Sequence, residues 1–224
     1  MSRIMVGVMV ISALVFSASA AHAHSNGVLL NFQGLQDLQP VGDFYNGAGL
    51  PGTPNYGITF SSNFLGLRST LRPGNGAFAS TPTATPAIFM PGSNGTMATG
   101  VMNVSGGFSN GIQFFYTAGL SQTVTLWSGT NGTGTVLATI SLAANDGNCM
   151  NFPTYCNWST VGVNLDSSVT VKSVTFTGPA NSLGISDITL GASTTAVPEP
   201  STLCLLGTGL VGASFRQLRR IWKR

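Results

Sequence analysis

Gln122-Thr123-Val124-Thr125-Leu126-Trp127-Ser128-Gly129-Thr130-Asn131-Gly132-Thr133-Gly134-Thr135-Val136-Leu137-Ala138-Thr139-Ile140-Ser141-Leu142 is the stretch that decides the fold. Over 122–127 the residues alternate: Val124 and Leu126 point one way, Thr123 and Thr125 the other. A period of two is the side-chain period of a strand with one buried face. Gly129-Thr130-Asn131-Gly132 then interrupts the run. Asn131 and Gly132 both tolerate positive φ, which tight hairpin turns demand. Thr135–Leu142 follows as the return strand. An antiparallel hairpin is the result, and it sets the expectation for the rest of the chain.

Working outward, the same pattern recurs. In Gly111–Tyr116, Ile112, Phe114 and Tyr116 share a face. Val169–Thr177 reads as a strand whose apolar parity switches from Val169 and Val171 to Val174 and Phe176, which predicts a β-bulge near Lys172. Leu183–Leu190 is the closing strand. Val28–Phe32, Tyr56–Ser62, Pro86–Met90, Met97–Val104 and Ser159–Asn164 complete the set. Short runs of β-branched and aromatic residues, punctuated by Gly, Asn and Pro, predict an all-β chain: an antiparallel β-sandwich, specifically a jelly roll. A β-solenoid needs a fixed repeat, and the sequence has none. Residues 34–55 and 66–85 are rich in Gly and Pro and are expected as long surface loops, where binding residues collect.

The two ends differ from this middle. Met1-Ser2-Arg3, the apolar Ile4–Phe16 and the Ala21-His22-Ala23 cleavage site make residues 1–23 a signal peptide with an N-terminal signal helix. At the other end, Leu203–Phe215 is apolar or small. It is shorter than the ~20 residues a spanning helix needs, so it predicts a short transmembrane helix. Arg216, Arg219, Arg220, Lys223 and Arg224 follow as a basic stop-transfer tip that holds the cytoplasmic side. Val197-Pro198-Glu199-Pro200, then a Gly-rich apolar helix, then an Arg cluster, resembles the PEP-CTERM sorting signal. The resemblance implies a bacterial protein processed by exosortase near Pro198-Glu199-Pro200. The membrane would hold it through the C-terminal helix before cleavage, and it would then go to the cell surface or an exopolysaccharide-containing matrix. The expected division is therefore 1–23 signal peptide, 24–195 β-sandwich ectodomain and 196–224 sorting signal.

Asp43–Gly49, Asn55–Ser61 and Ile185–Gly191 also resemble segments that recur in PEP-CTERM ectodomains, which look like lectin or carbohydrate-binding jelly rolls. That resemblance implies a fold and, loosely, a glycan ligand.

The tail dominates the charge. The whole chain is +3 with a pI near 9.0. Between His24 and Ala196, only Arg68, Arg72 and Lys172 oppose Asp37, Asp43, Asp146, Asp166 and Asp187, three positive against five negative, or about −2. Nucleic acid is excluded as a partner, because its recognition needs a basic patch.

Catalytic patterns are missing. Glycoside hydrolysis usually needs two carboxylates across a cleft, and the ectodomain has no Glu before Glu199. His22 leaves with the signal peptide and His24 is left at the new terminus, so no Ser-His-Asp arrangement can be held in register. The expectation is a non-enzymatic protein. Cys149 and Cys156 bracket a short loop and are expected as a disulfide after export. Asp37, Asp43 and Asp187 could gather if the first and last strands pair, and would then hold one structural calcium ion. For a sugar ligand, aromatic platforms are required: Tyr45, Tyr155 and Trp158 are the ligand-binding candidates. The alternatives to exopolysaccharide binding are a structural or adhesive matrix component without a defined ligand, and a secreted hydrolase.

Overall fold

The computed structural model describes residues 27–49, 51–69, 76–78, 82, 87–146 and 155–191. The expected signal peptide and sorting signal, with both of their expected helices, lie outside the described residues. Among those residues every element is a strand. They are β1 (Val28–Leu30), β2 (Ile58–Phe60), β3 (Leu65–Leu67), β4 (Ala87–Phe89), β5 (Met97–Phe108) and β6 (Gly111–Ala118), then β7 (Gln122–Trp127), β8 (Val136–Leu142), β9 (Ser159–Asn164), β10 (Val171–Pro179) and β11 (Leu183–Leu190).

Two antiparallel sheets form. One runs β3-β4-β11-β6-β9, with β1 also paired to β11; the other runs β2-β5-β10-β7-β8. The pairing is nested about the hairpin quoted first. β7 pairs β8, β6 pairs β9, β5 pairs β10 and β4 pairs β11. The chain behaves as one long hairpin whose tip is the Gly129–Gly132 turn and whose arms are dealt alternately between two layers.

The tip forms as the sequence predicts. Asn131 and Gly132 have φ of 55° and 67°. The turn then folds back over its own sheet. Asn103 Nδ2 donates to Asn131 Oδ1, and the Asn131 amide donates to Asn103 Oδ1, each at 2.8 Å. The Gly132 amide donates to Ser173 Oγ at 3.0 Å, and Ser173 Oγ donates to the Gly129 carbonyl at 2.6 Å.

Alternation fills the core from both layers. Ile112 and Phe114 come from β6, Val124 and Leu126 from β7, Val174 and Phe176 from β10, and all are buried. Edge-to-face rings link the layers: Phe60 to Phe64 at 5.5 Å, Phe64 to Phe176 at 5.6 Å, Phe176 to Phe114 at 5.9 Å. Such aromatic pairs add about 0.5–1.5 kcal/mol each beyond their buried area. The register of β10 on β5 shifts between Val171 and Ser173, at the bulge predicted from the parity switch.

Two expectations need correction. Residues 34–55 are not an exposed loop, because Leu35, Val41, Phe44 and Tyr45 in it are buried. The backbone of this segment bonds to Phe60, Phe64 and Gly66; its Tyr45 ring packs on Phe32, and Phe44 packs on Tyr45. The segment 66–85 likewise begins inside β3, a strand of three residues without a β-branched side chain to betray it.

Candidate functional site

The outward face of the first sheet carries the site. Gly184 of β11 lies opposite Phe89 of β4 on one side and Thr117 of β6 on the other. A glycine in the middle of that row leaves a hollow. A Cβ added at Gly184 would sit 3.0 Å from Thr117 Cγ2 and 3.4 Å from the Trp158 ring. The indole of Trp158 therefore comes over the sheet where no side chain rises to meet it. Phe78 stands edge-on to Trp158 at 5.8 Å. It is held there by a bridge between Phe78 and Tyr155, in which the Tyr155 amide donates to the Ala77 carbonyl at 2.9 Å.

Phe78 and Tyr155 border a cavity of about 260 Å³, lined also by Leu67, Phe89, Thr117 and Leu183. Its polar groups are few. Tyr155 Oη donates to the Asn181 carbonyl at 3.0 Å. Burial raises the Tyr155 phenol above its usual range, and the Asp146 carboxylate adds to the effect. Asp146 and Tyr155 crowd the same spot: a Cβ at Gly119 would lie 3.1 Å from Asp146 Oδ2 and 3.2 Å from the Tyr155 ring. Thr117 is 1% exposed, and its Oγ1 makes no hydrogen bond among the described residues.

Asn145 fixes the approach to this site. Its Oδ1 accepts from the Ala118 amide at 2.7 Å. Its Nδ2 donates to the Tyr116 carbonyl and to Ser159 Oγ, pinning the end of β6 to the start of β9.

Of the three aromatic residues expected to bind, Tyr155 lines this cavity and Trp158 lies next to it, against Phe78. Tyr45 does not join them. It was expected in an exposed loop, and it is 3% exposed, with its Oη accepting from the Phe32 amide at 2.6 Å. It floors a second cleft of about 460 Å³ beside β1, where Tyr56 stacks on it at 6.2 Å. Phe78, Thr117 and Asp146 were not singled out by the sequence. Nothing in their local pattern marks them, because register and chain return bring them together.

The three aspartates do not form a calcium site. Asp37 accepts from the Arg68 amide at 2.7 Å. Asp43 accepts from Asn46 Nδ2 at 3.1 Å within its own turn. Asp187 is buried in β11 with φ of 48°, where that strand's register on β6 shifts. Among the described residues no three of His, Cys, Asp and Glu form a group that could hold a metal ion. Cys156 is disulfide-bonded. Cys149 lies outside the described residues, so the Cys149–Cys156 pairing stands as an expectation, as do the sorting and stop-transfer residues beyond position 191.

Residues 196–220 match the PEP-CTERM protein-sorting motif. The chain carries a PEP-CTERM sorting motif. A PEP-CTERM chain is an exported one, anchored in the membrane before it is sorted to the cell surface. No match was found among curated proteins. Among solved structures, this PEP-CTERM chain is similar to the K2 cleaved adhesin domain of Lys-gingipain, with 13% identity over 73% of this chain and 98% of that one, at a TM-score of 0.45. It is similar to a variant of the family 29 carbohydrate binding module CBM29-2, with 9% identity over 77% of this chain and 99% of that one, at a TM-score of 0.42. It is also similar to TmCBM61 in complex with β-1,4-galactotriose, with 9% identity over 59% and 85%, at a TM-score of 0.36.

Proposed function

We propose that this chain is a non-enzymatic cell-surface or extracellular-matrix protein, processed by exosortase, whose β-sandwich interacts with the exopolysaccharide of its matrix. We read the sandwich as a jelly roll, and the nested pairing of β4 through β11 about one hairpin tip supports that reading. The observation that carries the proposal is the convergence of Tyr155, Trp158 and Phe78 beside Asp146 on one sheet face, in a chain that carries a surface-sorting motif. Aromatic rings offer a sugar its apolar faces a place to lie, and a nearby carboxylate and amides serve its hydroxyls. A disulfide between Cys149 and Cys156 would stiffen the segment leading to Tyr155 and Trp158. A closed loop that short adds ~2–3 kcal/mol at most in the chain-entropy account. Catalysis has no part in the reading.

The test is a pull-down of the full chain, made in an exporting host, on the producing organism's own exopolysaccharide. The expected result is saturable binding, competed by a defined sugar and weakened about tenfold or more by Trp158→Ala. Equal, non-saturable retention of the wild type and the variant would overturn the proposal in favour of a passive matrix component. Turnover of the polysaccharide abolished by Asp146→Asn would overturn it in favour of a hydrolase.

A further inference from the structure

The cleft of about 460 Å³ beside β1 has a chemistry of its own. Its floor is aromatic, from the buried Phe44 and Tyr45. Tyr56 is its exposed ring, at 38%, and stacks on Tyr45 with the two planes 23° apart. The base under Tyr56 is fixed: the Tyr45 Oη accepts from the Phe32 amide, and the Tyr45 carbonyl accepts from the Tyr56 amide at 2.9 Å. The polar lining comes from Asn31, Gln33 and Thr53, which are half-buried or exposed, so a ligand can reach them. Asn31 Oδ1 accepts from the Gln33 amide at 3.1 Å, which orients that side chain and leaves its Nδ2 over. Neither Asn31 Nδ2, the Gln33 carboxamide nor Thr53 Oγ1 has a hydrogen-bond partner among the described residues.

The chain closes tightly around this lining. A Cβ added at Gly49 would lie 2.6 Å from both the Phe44 carbonyl oxygen and Thr53 Cβ, so Thr53 is folded back against Phe44. Little has to be ordered when a ligand enters. None of the lining residues is charged. An ion brought into the cleft would give up water and find no counter-charge. An uncharged ligand with one hydrocarbon face and several hydroxyls finds a partner for each: a ring for the face, amides and a hydroxyl for the rest. A neutral sugar residue has that composition. Position adds a second point. Leu29, exposed on β1 and part of the cleft, pairs with Thr189 of β11. Gly184, beside Trp158, stands five positions earlier on the same strand. At about 3.3 Å per residue the two places are roughly 17 Å apart along β11, within reach of one chain of several sugars.

We infer that the cleft beside β1 is a second saccharide site, selective for neutral sugar residues, so that one polysaccharide chain is gripped at two points along the first sheet. This rests on the exopolysaccharide reading above, which concerns the Tyr155 and Trp158 site.

The test is calorimetric titration of the full chain, made in an exporting host. The probes are short fragments of the producing organism's exopolysaccharide, separated by ion exchange into neutral and acidic pools. Neutral fragments are expected to bind at two per chain, falling to one in Trp158→Ala and to one in Tyr56→Ala. Gln33→Ala removes an exposed side chain without a partner, so the melting temperature should hold while the cleft binds about threefold or more weakly. Intact polysaccharide should bind the wild type about tenfold or more tightly than either single-site variant. One fragment per chain, lost in Trp158→Ala and indifferent to Tyr56→Ala and Gln33→Ala, overturns this inference and leaves the broader reading standing. One fragment per chain, lost in Tyr56→Ala and indifferent to Trp158→Ala, does the reverse. Acidic fragments filling the cleft as well as neutral ones overturn its selectivity, and intact polysaccharide bound no more tightly than by the variants overturns the two-point grip.

Discussion

Tyr45 shows how a single hydroxyl can tie a fold's opening strand to its interior. Its Oη accepts from the Phe32 amide, a donor that follows β1 and has φ of 57°, outside the sheet ladder. Without Tyr45 Oη that buried N–H has no water to turn to. Tyr45→Phe keeps the ring contacts with Phe32 and Phe44, at 5.8 and 5.1 Å, and deletes only the acceptor. The expected loss is ~1–3 kcal/mol, the cost of orphaning a buried donor, measured by urea unfolding at pH 7. The same residue sets an alkaline limit. Burial, the largest cause, holds the Tyr45 phenol above its ordinary value of 10.0, with Tyr56 and Asp187 adding to it. A phenol with a raised folded-state value binds its proton more tightly folded than unfolded. Its contribution is therefore whole below pH 10 and is lost as the pH climbs past it. Stability of the wild type should fall above about pH 10, and Tyr45→Phe should fall less steeply there. Parallel curves for the two proteins would remove Tyr45 from that role.

At the scale of elements, the hairpin tip is the joint to test. The Asn103 side chain makes two bonds to Asn131, one to its amide and one to its side chain. Asn103→Ala should cost ~1–2 kcal/mol, because two exposed hydrogen bonds are lost and water replaces them in part. A double-mutant cycle with Asn131→Gly, which keeps the positive φ and removes the side chain, should show a coupling near half of that. Additive effects would mean that the turn is held by Ser173 alone. This joint also separates what could be read from the sequence from what could not. The hairpin, the closing strand and the bulge near Lys172 were legible because each is written in the parity or the turn chemistry of adjacent residues. β3 was not, since Leu65-Gly66-Leu67 is too short to show a period. Nor was the burial of Phe44 and Tyr45, which depends on Phe32 and Phe60 arriving from elsewhere in the chain. The site divides in the same way. Tyr155 and Trp158 stood out as aromatic platforms for a sugar. Thr117 became part of a cavity only through the register that sets it opposite Gly184, and no local pattern encodes a register between β6 and β11.

For the whole molecule, charge and destination are one question. The full chain is basic, with a pI near 9.0, although the part between His24 and Ala196 holds three cations against five anions. The excess of positive charge sits in Arg216, Arg219, Arg220, Lys223 and Arg224, behind the apolar Leu203–Phe215. Those cations favour the cytoplasmic side and resist crossing, so the tip would act as a stop while the sandwich folds outside. Cutting near Pro198-Glu199-Pro200 would then free the sandwich from its membrane segment and reverse the sign of its net charge in the same step. Isoelectric focusing reads that directly. The exported form should focus below pH 7, whether or not Glu199 stays with it, because both outcomes leave an acidic surplus. A chain with Pro198→Ala, Glu199→Ala and Pro200→Ala together should stay in the membrane fraction and focus near the basic value of the full chain. If the triple variant still yields an acidic, released form, the motif matched at residues 196–220 is not where the chain is cut. If instead the wild type keeps its basic value at the surface, the sandwich is displayed with its tail attached, and the polysaccharide would be met at the membrane rather than in the matrix beyond it.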